Sequence, residues 1–449
     1  MTPPLATSPA PRDLGALVTA VFERWRSSGV AFLILRNYEG LPQATTNDID
    51  ALVSPAQLAL AERELVAAAQ QAGYLLHNRA EFSPVSLFFH HPVSQRQIQF
   101  DLFHSLKWRG FTLLATRDVL ARRIERGLFA IPHPAHEAVL NLITRQLYHG
   151  YVREKYKPQI LAGVRQDPAA AKAALAEMFG AAVAKTLTRG VLEERWADVE
   201  QQTSAMRRQL IVRRVTRQPM TTLGSLLLDL GRFVRRLRRP PGILIVLLGA
   251  DGSGKSTVGA QLVEALHSSF NREKTLRGHW KPALIRRRGR GEASVVTNPH
   301  GRAPRGRWGS LLALGCHWLE YLMGGGVQFL PVLFRNGMVL MDRYHYDFAV
   351  DPRRYRLQVA SETVRAWFRW LPAPDLVFVL DAPTDVLRSR KQEVAAEETE
   401  RQREAYRALA RSLPNARIVD CAQPLDAVVR TIVGEVLLHL RERQARRMN

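Results

Sequence analysis

The chain has 449 residues with 46% hydrophobic content, which excludes a globally disordered protein and sets two to three domains as the expectation. Its two cysteines, Cys316 and Cys421, exclude a disulfide framework and lack metal-ligand spacing. A net charge of +23, from 64 Lys+Arg (only nine of them Lys) against 41 Asp+Glu, favours anionic partners such as nucleotides or an acidic membrane surface.

Residues 1–12 are rich in Pro and Ala and lack a basic flank leading into an apolar core, so they read as a disordered tail, not a signal peptide. Residues 13–135 mix helices and short strands in an α+β domain. A helix is predicted over Asp13 to Ser28, with strands at Val30 to Leu35, Ile49 to Val53 and Gln97 to Phe103, the last alternating through Ile98, Phe100 and Leu102. Residues 136–240 read as a helical region, Ala-rich over Pro168 to Ala184 and ending in a basic linker. Its arginines run from Arg207 to Arg217 and from Arg232 to Arg239, and Pro240-Pro241 then forbids further helix. The main domain boundary is placed there.

Residues 241–449 alternate strand and helix. Ile243 to Leu248 is apolar throughout, as in a parallel strand buried on both faces. Further strands are expected at Met338 to Met341, Leu376 to Leu380 and Arg417 to Val419, giving an α/β fold with a parallel sheet and helices on both faces. Gly309 to Phe334 is apolar but interrupted by His317, Glu320 and Gly324-Gly-Gly326, which predicts a buried helix followed by a loop and not a membrane span.

The chemistry begins at Gly249-Ala-Asp251-Gly252-Ser253-Gly254-Lys255-Ser256-Thr257, which matches G-x-x-x-x-G-K-S/T between an apolar strand and an amphipathic helix. The glycines let successive N–H groups turn toward phosphate oxygens, and the helix N-terminus adds its dipole. Lys255 is placed to reach the β- and γ-phosphates of ATP, and Ser256 to ligate Mg²⁺. A second Mg²⁺-shell group is expected from Asp342, at the carboxyl end of a neighbouring strand, with Arg343 beside it facing an anionic acceptor.

With Asp342-Arg343-Tyr344, Asp381-Ala-Pro and Arg388-Ser-Arg390-Lys391-Gln-Glu393, residues 242–449 resemble the thymidylate kinase-like P-loop kinases. The resemblance implies that Asp251 faces the acceptor's sugar and that Arg343 grips the acceptor phosphate. It also implies that Arg388, Arg390 and Lys391 open a lid over the transferring phosphoryl group. The chain departs from a compact nucleoside-monophosphate kinase in its basic insert: His279-Trp-Lys281-Pro, Arg286 to Arg290, Asn298 to Arg302, then Arg305 and Arg307. A further basic stretch runs from Arg353 to Arg356. This longer pattern resembles the thymidylate kinase-like proteins associated with bacterial cell-surface polysaccharide synthesis.

In the N-terminal region, Asn47-Asp48-Ile49-Asp50 starts a strand, so period-2 alternation sets Asp48 and Asp50 on one face; Asp101 lies on a later strand. Three carboxylates on adjacent strands suit two-metal nucleotidyl transfer. The region resembles a minimal nucleotidyltransferase domain of the polymerase-beta superfamily, which implies Asp48, Asp50 and Asp101 as metal ligands. It departs from that family at Leu35-Arg36-Asn37, where a Gly-Ser pair is expected. His90-His91 and His149 have no ligand partners at metal spacing and read as structural.

The expected function is therefore ATP- and Mg²⁺-dependent phosphotransfer to a nucleotide or phosphorylated sugar acceptor. Two alternatives stand beside it: a bifunctional nucleotidyltransferase and kinase acting on a glycan, and a non-catalytic ATP-dependent switch at a membrane surface. A cytoplasmic protein, peripheral to the inner membrane and homodimeric, is the expectation; nucleic acid is not the expected partner.

Overall fold

The computed structural model describes residues 12–45, 48–94, 96–267, 269–270, 275–280, 303–391 and 395–448. The tail at 1–11, Asn47, Glu393 and the basic insert at 281–302 lie outside the described residues. The chain divides into two compact units, 1–234 and 235–449.

The first unit opens with α1 (Arg12–Ser27), β1 (Phe32–Ile34), β2 (Ile49–Val53), α2 (Leu58–Gln71), β3 (Leu75–Glu81), β4 (Val85–His90) and β5 (Gln97–Phe103). The five strands form one sheet in the order β1-β2-β5-β4-β3; β2 and β5 run parallel and the other neighbours antiparallel. The sequence pattern gave no signal for β3 and β4. The reason is visible in β4, which is buried at all six positions and so shows no polar alternation. Where alternation does hold, it splits the side chains between two cores. Phe32, Ile34, Ile49, Ala51 and Val53 pack with α1 and α2, while Leu33 and Leu52 point into a second core built by helices.

That second core follows two small hairpins, β6 (Lys107–Trp108) with β7 (Phe111–Thr112) and β8 (Ile124–Arg126) with β9 (Phe129–Ile131), which flank α3 (Thr116–Ala121). The helices are α4 (Pro134–His149), α5 (Lys157–Gln166), α6 (Pro168–Phe179), α7 (Ala181–Leu192), α8 (Trp196–Gln201), α9 (Thr203–Arg217) and α10 (Pro219–Arg238). The Ala-rich stretch at 168–184 is shared by two helices, because Gly180 adopts φ +86° and ends α6 before α7 begins.

The second unit contains β10 (Ile243–Leu248), α11 (Lys255–Ala265), β11 (Leu276–His279), α12 (Arg307–Gly324), α13 (Leu330–Phe334), β12 (Met338–Asp342), α14 (Asp347–Val350) and α15 (Ser361–Phe368). It ends with β13 (Leu376–Asp381), α16 (Thr384–Arg390), α17 (Ala396–Ser412), β14 (Ala416–Asp420) and α18 (Leu425–Met448). All five strands are parallel in the order β11-β12-β10-β13-β14. Alternate residues of β10 serve opposite faces. Ile243, Ile245 and Leu247 pack against α11 and α18; Leu244, Val246 and Leu248 pack toward α12, α15 and α17. A strand covered on both sides must be apolar throughout, which is why β10 reads as an unbroken run. The strand order reverses beside β10, and the crevice at the carboxyl ends of strands flanking such a reversal is where open α/β sheets bind ligands.

The loop expected at 324–326 is absent. Helix α12 continues through a π-helical turn at Gly325–Phe329 into α13. Gly325 is buried against the Pro372 ring, which would stand 2.8 Å from a β-carbon at that position, so close packing and not chain reversal explains the glycine. Nor is α12 a buried helix: Leu312 and Leu319 are exposed on it. Among the described residues, no helix is long and apolar enough to cross a membrane.

The turn after β10 depends on glycine in a way that can be tested. Gly252 has φ +85°, and a β-carbon there would lie 2.3 Å from the Leu387 carbonyl oxygen of α16. Gly434, by contrast, sits in α18 with open space around it. Gly252→Ala is therefore expected to lower the melting temperature of the chain, while Gly434→Ala raises it by the helix propensity gained, about 1 kcal/mol. Thermal unfolding of the two variants beside the wild type checks both signs.

Candidate functional site

At the carboxyl end of β10 the chain turns through Gly249, Gly252 and Gly254, all at positive φ, and enters α11 at Lys255. Lys255 is buried. Its ammonium donates to the Gly249 and Ala250 carbonyls, both at 3.0 Å, and to Ser253 Oγ at 3.2 Å. Burial pushes its pKa down to about 8, with Arg343 adding to the effect while Asp342, Asp251 and Asp347 oppose it. Ser256 and Thr257 lie exposed on the first turn of α11.

Strand register brings the next group into place. Asp342 is paired with Leu247 of β10 on one side and with His279 of β11 on the other. Ser256 Oγ donates to Asp342 Oδ2 at 2.9 Å, and His279 Nδ1 is 3.5 Å from the same oxygen. The other oxygen, Oδ1, is buried and has no hydrogen-bond partner. Burial raises the Asp342 pKa, but His279, Lys255 and Ser256 outweigh it and hold the carboxylate below its ordinary range. A half-buried, ionised carboxylate with a buried, orphaned oxygen beside a serine hydroxyl fits a divalent cation, since the alternative is an uncompensated desolvation cost.

The chain after Asp342 carries the densest charge network. Arg343 adopts φ +70°, and its N–H donates to Leu247 O at 2.9 Å. Its guanidinium, 5% exposed, bonds Asp251 Oδ1 at 2.5 Å, Asp347 Oδ2 at 2.7 Å and Tyr406 Oη at 3.3 Å. Asp347 also accepts from Tyr406 at 3.0 Å and from Tyr355 at 3.4 Å. Arg354 donates to Asp251 Oδ2 at 2.8 Å. Burial pushes the Asp251 carboxyl up, but Arg343, Lys255 and Arg354 overcome it and leave the group well below the usual carboxylate range. Beside this network Trp280 stacks on Tyr355 at 5.0 Å, and His317 stacks on Phe348 at 5.1 Å.

The structure brings Gly249 to Thr257, Asp342 and Arg343 together at one end of the sheet. Helix α16 abuts the same loop through Leu387, so Arg388 follows directly on the contact. Arg390 turns elsewhere, donating to the Cys421 carbonyl at 3.0 Å, and Lys391 is exposed. Asp347 and Arg354 were not singled out from the sequence, although the Arg343/Asp347 spacing of four was legible as an ion-pair signal. Nor was the pairing of Asp381 with Arg403 at 2.9 Å and Arg407 at 2.6 Å from α17.

In the first unit, Asp48, Asp50 and Asp101 present carboxylate oxygens within 4.8 Å of one another. The parallel register of β2 and β5 sets Asp50 opposite Asp101. Arg36 forms an ion pair with Asp50 Oδ2, while Asp50 Oδ1 is buried without a partner. Burial, reinforced by Asp50 and Asp48, pushes Asp101 up to about 7 against the hydrogen bonds from Ser86 and Gln99. A cavity of about 370 Å³ opens beside the cluster, lined by Arg36, Asp101, Lys107, Asn141, Arg145 and His149 among others. His149 thus sits at a cavity wall, and His90 packs on His77 at 3.4 Å between ring nitrogens.

No family model matches the chain. It is 27% identical to the thymidylate kinase of Xanthomonas euvesicatoria pv. vesicatoria (strain 85-10) over 215 residues, which is 46% of this chain and 88% of that protein. The figures for the thymidylate kinase of Xanthomonas campestris pv. campestris (strain B100) are 27% over 214 residues, 45% of this chain and 87% of the relative. A solved thymidylate kinase structure from Ehrlichia chaffeensis aligns with a TM-score of 0.32 at 16% identity, covering 43% of this chain and 98% of its own. The chain is thus similar to thymidylate kinases over a little under half its length.

Removing Arg343 would leave two buried carboxylates without their shared cation. Arg343→Met is expected to cost about 3–5 kcal/mol, a fall in melting temperature on the order of 10 °C, and adding Asp347→Asn should recover part of it. An unchanged transition in Arg343→Met, followed calorimetrically, would show that the network contributes nothing to stability.

Proposed function

We propose that the second unit is an ATP- and Mg²⁺-dependent phosphotransferase of the nucleotide-kinase type, moving the γ-phosphoryl group of ATP to an acceptor held on the Arg343 side of the P-loop. The observation that carries this is the 2.9 Å bond between Ser256 and Asp342, whose second oxygen is buried and orphaned. A P-loop alone indicates nucleotide binding; a hydroxyl and a carboxylate converging beside its lysine supply the cation site that phosphoryl transfer needs. The similarity to thymidylate kinases supports the same reaction class. An enzyme of this kind works where ATP is held, in the cytoplasm.

Each residue has a distinct task in this account. Ser256 and Asp342 would hold Mg²⁺, which when bound neutralises charge shared by the β- and γ-phosphates. Lys255, now turned onto the loop's own carbonyls, exchanges those bonds for phosphate oxygens, and the anion restores a full positive charge that burial had weakened. The backbone N–H groups of 250–256 and the start of α11 cradle the phosphates. Arg388, which follows the Leu387 contact with the loop, would neutralise the transferring group.

A second reading concerns the first unit, where three carboxylates cluster and one of them, Asp101, lines a cavity that also carries Arg36, Lys107 and Arg145. We infer a divalent-cation site at Asp48, Asp50 and Asp101, suited to nucleotidyl transfer. The orphaned Asp50 oxygen and the raised Asp101 pKa both fit, because a cation relieves the mutual repulsion. This unit would make the chain bifunctional, consistent with action on a glycan precursor.

Two measurements follow. Lys255→Ala in the purified full chain is expected to lower label transfer from γ-³²P-ATP by on the order of 10²–10³-fold or more; unchanged transfer would rule out this site. For the first unit, the unfolded carboxyl of Asp101 releases its proton near 3.8 and the folded one near 7. Stability contributed by this group is therefore full below about 4 and is lost as pH rises through about 7. Mn²⁺ should accordingly raise the melting temperature more at pH 8 than at pH 5.5. Asp101→Asn should abolish that difference and, without metal, stabilise the chain at pH 8. An equal Mn²⁺ shift at both values, retained in the variant, would contradict the cation site.

A further inference from the structure

Helix α10 is held down along one side only. Ser225 Oγ donates to the Gly110 carbonyl, in the turn between β6 and β7, at 2.9 Å, and Thr222 Oγ1 donates to the Arg214 carbonyl at 3.0 Å. Further along, Arg232 lies 3.1 Å from both Asp229 Oδ1 and His104 Nε2. Thr222 and Ser225 are accordingly buried. The opposite side is apolar and open: Met220, Leu223, Leu227, Leu228 and Leu230 are each more than half exposed. Met220, Leu223, Leu227, Leu230, Val234 and Leu237 recur at alternating steps of three and four, so they form one continuous stripe down the helix. Exposed leucines are ordinarily scattered singly, and a contiguous stripe of them marks a docking face.

The charges around the stripe decide what covers it. The helix contains four arginines, Arg232, Arg235, Arg236 and Arg238, and one acid, Asp229, already paired with Arg232. Arg239 follows it, and Arg213 and Arg217 precede it on α9. A second copy laid along the stripe would bring arginines against arginines in either a parallel or an antiparallel pairing. The positions flanking the stripe, Gly224, Leu226, Gly231 and Phe233, offer no opposite charge to offset that. Nucleic acid would satisfy the arginines but set the leucines against a polyanion. An anionic bilayer suits both sets of groups. The leucines enter the boundary of the acyl chains while the guanidinium groups stay among the phosphate oxygens of the headgroups. Since α10 is not apolar enough to cross a membrane, it would lie in the plane of the surface.

We propose that α10 is a membrane-surface helix that docks the chain on anionic phospholipid, with the stripe from Met220 to Leu237 in the acyl boundary and Arg238 and Arg239 at the headgroups. None of these residues belongs to the P-loop site, so the proposal stands independently of the phosphotransferase reading.

The test is flotation of the full chain with lipid vesicles, which separates bound protein from aggregate because aggregate does not float. The wild type is expected to partition onto vesicles of equal phosphatidylcholine and phosphatidylglycerol at least about tenfold more strongly than onto phosphatidylcholine alone, and to be released as salt is raised. Leu227→Gln with Leu230→Gln should weaken binding to the mixed vesicles by about tenfold or more. Its melting temperature should stay unchanged, because both side chains face solvent. Arg238→Gln with Arg239→Gln should weaken binding to the mixed vesicles and leave binding to phosphatidylcholine as it was. Equal partition of the wild type onto both vesicle types, or full binding by the leucine variant, would overturn the proposal. So would a lipid-free dimer, seen by analytical ultracentrifugation, that the leucine variant abolishes, since the stripe would then belong to a second copy. If the leucine variant unfolds, the comparison of the two lipids and the arginine variant decide alone.

Discussion

The buried guanidinium of Arg343 is the interaction on which the second unit's site depends. It joins the P-loop through Asp251, the turn after β12 through Asp347 and helix α17 through Tyr406. A non-glycine residue at φ +70° is unfavourable by itself. The conformation persists because it aims the side chain at both carboxylates while the main chain bonds β10. Without that anchor the P-loop would keep its glycines and its lysine but lose the fixed wall opposite them.

Sheet topology explains why these groups meet at all. With β10 central and its neighbours taken from later in the chain, strand order reverses beside the P-loop, so the ends of β10, β11 and β12 open on one crevice. Register then sets Asp342 between Leu247 and His279. The first unit uses the same device with a different outcome. There, a parallel pairing inside a largely antiparallel sheet sets Asp50 opposite Asp101, and Arg36 supplies a built-in counter-charge to one of the three carboxylates.

Much of this was legible before any coordinates. The P-loop could be read because its spacing is fixed by phosphate geometry, and β10 because a doubly covered strand must be apolar throughout. Asp48 and Asp50 were found by alternation alone. The remainder needed the fold. Strand β4 is buried on both faces in an antiparallel setting and has no period to detect, and Gly324-Gly-Gly326 looks like a loop until Pro372 is packed against it. Arg354 is separated from Asp251 by a hundred residues, and nothing local to either announces the pair. The segment from Arg353 to Arg356 likewise reads as strongly basic in sequence, while Arg354 is already paired with Asp251 in space.

The most direct test of the central claim is the fate of the ATP phosphates, followed by ³¹P NMR in the full chain with Mg²⁺ and a mixed pool of sugar and nucleoside acceptors. Phosphotransfer at the P-loop predicts the resonances of ADP together with a new phosphoryl resonance on an acceptor. Release of pyrophosphate with AMP as the only conversion, or ATP left intact while bound, would contradict it.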